Sequence, residues 1–152
     1  MRPQITSSGV MPRATEIFVM TAFFSATTVK RIASLVTALN VLVASGFSIA
    51  GLVSPKSILP AGYAPTDASF VFALYAAARS IPLALVVLIA ICKQSEAALL
   101  ILGTLAGFIQ LLDAGVGFLQ HDPGKTIGPL VIAACQLFAV YLLSRSARSS
   151  AQ

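Results

Sequence analysis

Phe70 to Cys92 is an apolar run of about 23 residues with one charge, Arg79, inside it. At a helical rise of about 1.5 Å per residue it measures roughly 35 Å, enough to cross the ~30 Å hydrocarbon core of a bilayer. No water-soluble core needs an apolar element of that length. The embedded arginine adds a second constraint. A charge at mid-membrane costs about 2.5–3.5 kcal/mol on insertion scales, so Arg79 needs a partner or a water-filled pocket.

Three further runs complete an antiparallel four-helix transmembrane bundle, an all-α membrane fold. They lie at about 32–53, 97–118 and 127–143, within a membrane domain spanning 30–145. Of the 152 residues, 57% are hydrophobic and 10% charged, against a usual charged share of about 25%. The charges cluster between the runs. The net charge of +5 therefore reads as topology signal and not as a nucleic-acid surface.

The first span has a small, weakly polar face: Thr37, Asn40, Ala44, Ser48 and Gly51. Such faces pack against other helices in lipid. Residues 54–69 hold Pro55, Pro60, Gly62 and Pro65 and read as a loop. The second span carries Tyr75 one turn before Arg79, and Pro82 one turn after it. The turn KQSE, 93–96, forces the third span antiparallel to the second. In the third span Gly103, Gly107, Gln110, Asp113 and Gly117 form one stripe, in which Gly103-x-x-x-Gly107 suits close helix approach. Asp122-Pro123-Gly124 marks a turn, Gln136 lies inside the fourth span, and residues 146–152 form a polar tail.

The segment 1–29 is polar or interfacial. Ile17–Thr28 is apolar for only about 12 residues, too short to span. Ile17, Met20 and Phe24 can share one face of an interfacial helix. A signal-peptide core is the alternative, but no small-x-small site follows and Lys30–Arg31 come next. Met11 and Met20 leave a later start open. Arg2, Arg13, Lys30, Arg31, Lys93, Arg145 and Arg148 collect on one side, against Lys56 and Lys125 on the other. The positive-inside bias predicts an inner or plasma membrane protein with both termini cytoplasmic.

Counting helical rise from the outer ends places Ser48 and Asp113 about 8 Å deep, Gln110 about 12 Å, and Arg79 and Gln136 about 13–14 Å. Each span thus contributes a polar group to one outer-leaflet layer, with His121 and Asp122 in the loop above. The simplest reading is a structural Arg79–Asp113 ion pair. The functional reading is a polar pocket with apolar walls, the usual construction of small-ligand sites. Its candidate catalytic residues are Asp113 and Arg79. Its candidate ligand-binding residues are Tyr75, Gln110, Gln136, His121 and Ser48.

Cys92 and Cys135 form no C-x-x-C, which argues against a thiol–disulfide enzyme. One histidine cannot build a metal site, and neither metal nor cofactor is expected.

The order of these motifs resembles the small four-helix DoxX-like membrane proteins and related domains of unknown function. The resemblance rests on LVSPKSILPAG, then YAAARSIPLAL, then LAGFIQLLDAGVGF and QHDPGK, and covers about 32–143. Ser80 stands where such families often show an acid directly after the arginine. The resemblance implies the four-helix bundle and, through relatives linked to quinone oxidation, a lipophilic ligand class.

Three functions follow as expectations. The first is binding of a small lipophilic molecule, quinone- or terpenoid-like, around Arg79 and Asp113. The second is a metal-independent membrane enzyme for epoxide opening, cyclisation or isomerisation, with Asp113 as acid/base. The third is a structural or accessory subunit of a membrane complex. The expected partners are the lipid bilayer, such a ligand, and a homo-oligomer or membrane partner; nucleic acid is not expected. A transporter is disfavoured, because small four-helix exporters rely on an acid in the first span, which here holds only Asn40.

Overall fold

The computed structural model describes residues 25–59 and 62–149. Among them are four long helices, a single 3-10 turn and no strand: α1 Ala26–Val53, the turn Pro55–Ser57, α2 Asp67–Cys92, α3 Glu96–Leu119 and α4 Pro123–Ser149. All four are long and apolar enough to cross a membrane. The expected N-terminal interfacial segment falls mostly on residues 1–24, outside the described residues.

Each helix starts on a residue that can satisfy its first free N–H groups. Ser25 accepts from the Thr28 N–H, and Ser95 accepts from the Ala98 N–H. Thr66 and Ser69 form a reciprocal capping box. Asp122 accepts from the Lys125 N–H at 3.2 Å, and Pro123, which lacks an N–H, occupies the first helical position.

These caps move the helix ends away from the ends of the apolar runs. α1 begins six residues before Ile32, and α4 begins within the segment read as a loop and runs on through Ser149. The apolar run sets how much of a helix lies in hydrocarbon, not how long the helix is. In the polar part of α4, the Arg145 guanidinium donates to the Tyr141 hydroxyl at 3.0 Å, which supports that last turn.

The helices alternate in direction. One end of the bundle holds the start of α1, the α2–α3 turn and the end of α4; we call it the terminal end. The other, the loop end, holds the α1–α2 and α3–α4 connections. α3 packs most extensively on α4, α1 packs on α2 and then on α4, and α2 touches α3 much less.

The side chains are sorted by size. The buried set includes Ala33, Ala73, Ala77, Ala84, Ala90, Ala106, Ala114, Ala133 and Ala139, while Leu35, Ile101 and Leu112 are each 71% exposed. In water such an arrangement would waste the hydrophobic effect. In lipid, close van der Waals packing replaces it, so small residues turn inward and large apolar ones face the acyl chains.

Glycines permit the closest contacts. A Cβ on Gly103 would stand 2.8 Å from Val140 Cγ2, and one on Gly107 2.7 Å from Leu137 Cδ2, so the G-x-x-x-G segment is the α3–α4 seam. At the loop end, a Cβ on Gly117 would overlap the Lys125 carbonyl. Pro129 in α4 has no N–H to offer that carbonyl.

Lys125 also ties the loop end together. Its ammonium donates to the Ile58 carbonyl at 2.7 Å and pairs with Asp122 at 3.3 Å. Ile58 in turn lies against Gly51, where a Cβ would meet Ile58 Cδ1 at 2.7 Å. At the terminal end, Lys30 donates to the Gln94 carbonyl at 2.7 Å, bracing α1 against the α2–α3 turn.

Gly117→Ala should cost about 1–3 kcal/mol through overpacking against backbone. Gly115→Ala, which borders open space, should stay within about 0.5 kcal/mol. Thermal unfolding in mild detergent separates the two. The Lys125 N–H, with the ammonium beside it, holds the Asp122 carboxyl below its ordinary 3.8. Its contribution to stability is therefore present above that value and lost as pH falls through the lowered folded pKa. Asp122→Asn should remove this acid-sensitive step from a plot of melting temperature against pH.

Candidate functional site

The inward polar residues of α1, α3 and α4 form one directed chain of hydrogen bonds. Gln110 Nε2 donates to Asn40 Oδ1 at 2.7 Å, and Asn40 Nδ2 donates to Gln136 Oε1 at 3.3 Å. Gln136 Nε2 donates to Thr37 Oγ1 at 2.9 Å, and Thr37 Oγ1 donates to the Ala33 carbonyl at 2.7 Å. Exposure is 4% at Gln110, 3% at Asn40 and 0% at Gln136 and Thr37. Among the described residues, no buried side-chain nitrogen or oxygen lacks a partner.

Gln110 and Gln136 thus meet, as their shared depth predicts. They meet each other through Asn40, and they do not border an open pocket. Each amide has both an N–H and a C=O, so three amides and one hydroxyl can link helices without leaving a polar atom in lipid.

A second polar seam joins α1 to α2. Ser80 Oγ donates to Ser48 Oγ at 2.9 Å, and Ser45 Oγ donates to the Ser80 carbonyl at 3.1 Å. Ser48 therefore belongs to this seam and does not join the glutamines.

The two embedded charges stand apart from both networks. Arg79 is exposed on α2, and its Nε donates to the Tyr75 carbonyl at 3.3 Å. The guanidinium thereby leans one turn toward the loop end, the direction expected of an arginine reaching for an interface. Asp113 is exposed on α3. The two make no contact ion pair; among the described residues the ion pair within 4 Å is Lys125–Asp122. They lie on α2 and α3, which pack on each other far less than α3 packs on α4 or α1 on α2.

Tyr75 is 63% exposed, and it is its carbonyl, not its phenol, that meets Arg79. His121 sits on the surface turn before α4 at φ 53°, its N–H donating to the Phe118 carbonyl. Cys92 and Cys135 are free and exposed. Among the described residues, no group of three or more His, Cys, Asp or Glu side chains is placed to hold a metal.

Sequence reasoning placed Thr37 and Asn40 on the packing face but did not pair them with the glutamines. The available signal was that three carboxamides in three spans have few ways to be satisfied in lipid except by one another. Ser80, which departs from the pattern of the resembled family, serves the α1–α2 seam.

No protein-family model, curated protein or solved structure matches this chain.

Gln136→Leu keeps the volume but leaves Asn40 without its acceptor and Thr37 without its donor. It should destabilise the bundle by about 1–3 kcal/mol. A double-mutant cycle with Asn40→Ala should show coupling of roughly 0.6–2 kcal/mol, the range for interhelical hydrogen bonds in membranes. Chemical or thermal unfolding in detergent gives both values.

Proposed function

We propose that this chain is an integral membrane protein that binds a small lipophilic molecule with a polar head between α2 and α3, beside Arg79 and Asp113. One observation carries the reading. Two opposite charges lie exposed on consecutive helices long and apolar enough to cross a membrane, yet make no contact ion pair. A purely structural pair would be expected to close, because contact offsets part of the cost of placing each charge in lipid.

A ligand carbonyl or hydroxyl would join the two charges. The Arg79 guanidinium would donate to an acceptor, and Asp113 would accept from a donor or hold the guanidinium in place. The apolar part of the ligand would lie along the outward α2 and α3 side chains. A quinone- or terpenoid-like compound has this chemistry, and the DoxX-like resemblance points to the same class. Gln110 and Gln136 act in this proposal as the lock that sets the helix positions. By the positive-inside bias, the loop end and the site near it face outward from an inner or plasma membrane.

The test is mass spectrometry of small molecules extracted from the protein purified in mild detergent, with Arg79→Gln and Asp113→Asn alongside. A defined molecule at near-equimolar amount in the wild type, reduced at least about tenfold in both folded variants, is the expected result. A cost of one hydrogen bond to a charged group, roughly 1.5–3 kcal/mol, corresponds to that loss. If no molecule is recovered and native mass spectra instead show a dimer that both variants disrupt, the charges serve a protein interface and the ligand reading fails.

A further inference from the structure

A separate groove opens at the terminal end, between α1 and the last turn of α2, with a volume of about 620 Å³. Thr27, Lys30, Arg31 and Ser34 surround its mouth, and Leu35, Ala38 and Ile91 continue it along the bundle. The wall from Thr27 to Ala38 covers 12 residues of α1, about 16 Å from the first to the last. The groove is thus cationic and hydroxylated where α1 begins and apolar further along.

Its charge is held in place. The Lys30 ammonium is anchored on the Gln94 carbonyl at 2.7 Å, and one such bond uses only one of its three N–H donors. Arg31 is exposed, and it joins no ion pair or hydrogen bond to the described residues. Glu96, the acid of this end among the described residues, lies in the first turn of α3 and does not line the groove.

We propose that this groove binds an anionic phospholipid, with Lys30 and Arg31 holding the phosphate oxygens, the Thr27 and Ser34 hydroxyls donating to them, and an acyl chain lying along Leu35, Ala38 and Ile91. Polar order decides for a lipid over a free anion. The cations and the polar lining residues Thr27, Ser34 and Gln94 stand toward the terminal end, and the apolar wall of Leu35, Ala38 and Ile91 offers nothing to a soluble phosphate. Basic pockets between membrane helices favour anionic headgroups for this reason. The site shares no residue with Arg79 or Asp113, so it stands or falls independently of the function proposed above.

The experiment is native mass spectrometry of the full chain in mild detergent, titrated with phosphatidylglycerol, with phosphatidylcholine, or with inorganic phosphate as competitor. The wild type should hold one phosphatidylglycerol, bind phosphatidylcholine several-fold more weakly, and be indifferent to millimolar phosphate. The double variant Lys30→Gln, Arg31→Gln should bind phosphatidylglycerol at least about tenfold more weakly. Lys93→Gln, a basic residue of the same end outside the groove, should bind within about twofold of wild type. Ala38→Phe should weaken binding with both cations intact, and it decides the matter if circular dichroism shows the double variant to be unfolded. Undiminished binding in Ala38→Phe, or in a folded double variant, overturns the proposal. So does an equal loss in Lys93→Gln, which would mean a diffuse basic surface, or displacement by phosphate alone, which would mean a simple anion site.

Discussion

The bundle depends on one chain of hydrogen bonds: Gln110 to Asn40 to Gln136 to Thr37 to the Ala33 carbonyl. Lipid offers no competing donors or acceptors, so the hydrophobic effect cannot decide how membrane helices pair. A buried amide can, because each of its atoms must find a partner at hydrogen-bonding distance. Here three helices are held in register by groups that have no other way to be satisfied. The chain also explains the glycines beside it. Gly103 lies where a Cβ would stand 2.9 Å from Gln136 Nε2, so α3 must be bare there for Gln136 to reach α1.

The connections between helices follow the same logic. Where chain leaves the membrane, a lysine gathers free carbonyls: Lys30 that of Gln94 at the terminal end, Lys125 that of Ile58 at the loop end. Each caps carbonyls that have no helical N–H to accept from and joins two segments distant in sequence. The serine seam through Ser45, Ser48 and Ser80 does the equivalent between α1 and α2. α2 is bound to the rest mainly through α1, and its contact with α3 is slight. That leaves the α2–α3 side as the part of the bundle with polar capacity to spare.

Much of the fold was legible in the residues. Four apolar runs, the short KQSE turn and the G-x-x-x-G segment lead to an antiparallel four-helix bundle, because run length and backbone satisfaction in lipid leave little choice. Helix ends were less legible. Ser25 and Asp122 extend α1 and α4 beyond their apolar runs, and caps act through a few hydrogen bonds that hydropathy does not register. The candidate site was legible only as a set of polar residues at similar depth. Depth counts rise along a helix but says little about azimuth, so it could not separate inward Gln110 and Gln136 from outward Arg79 and Asp113.

The sequence alone therefore determined that the chain is all-helical, that it has four segments able to cross a membrane, and that polar groups are embedded in them. These follow from one-dimensional quantities: the length of a run, its charge, the spacing of glycines. Which polar groups satisfy one another was decided only by the tertiary structure. Rotation and lateral packing of the helices carry the Gln110 and Gln136 amides onto Asn40 and leave Arg79 and Asp113 out of contact on the flank. A hydrogen bond depends on distance and direction between atoms up to 99 residues apart, and that information exists only once the helices are packed.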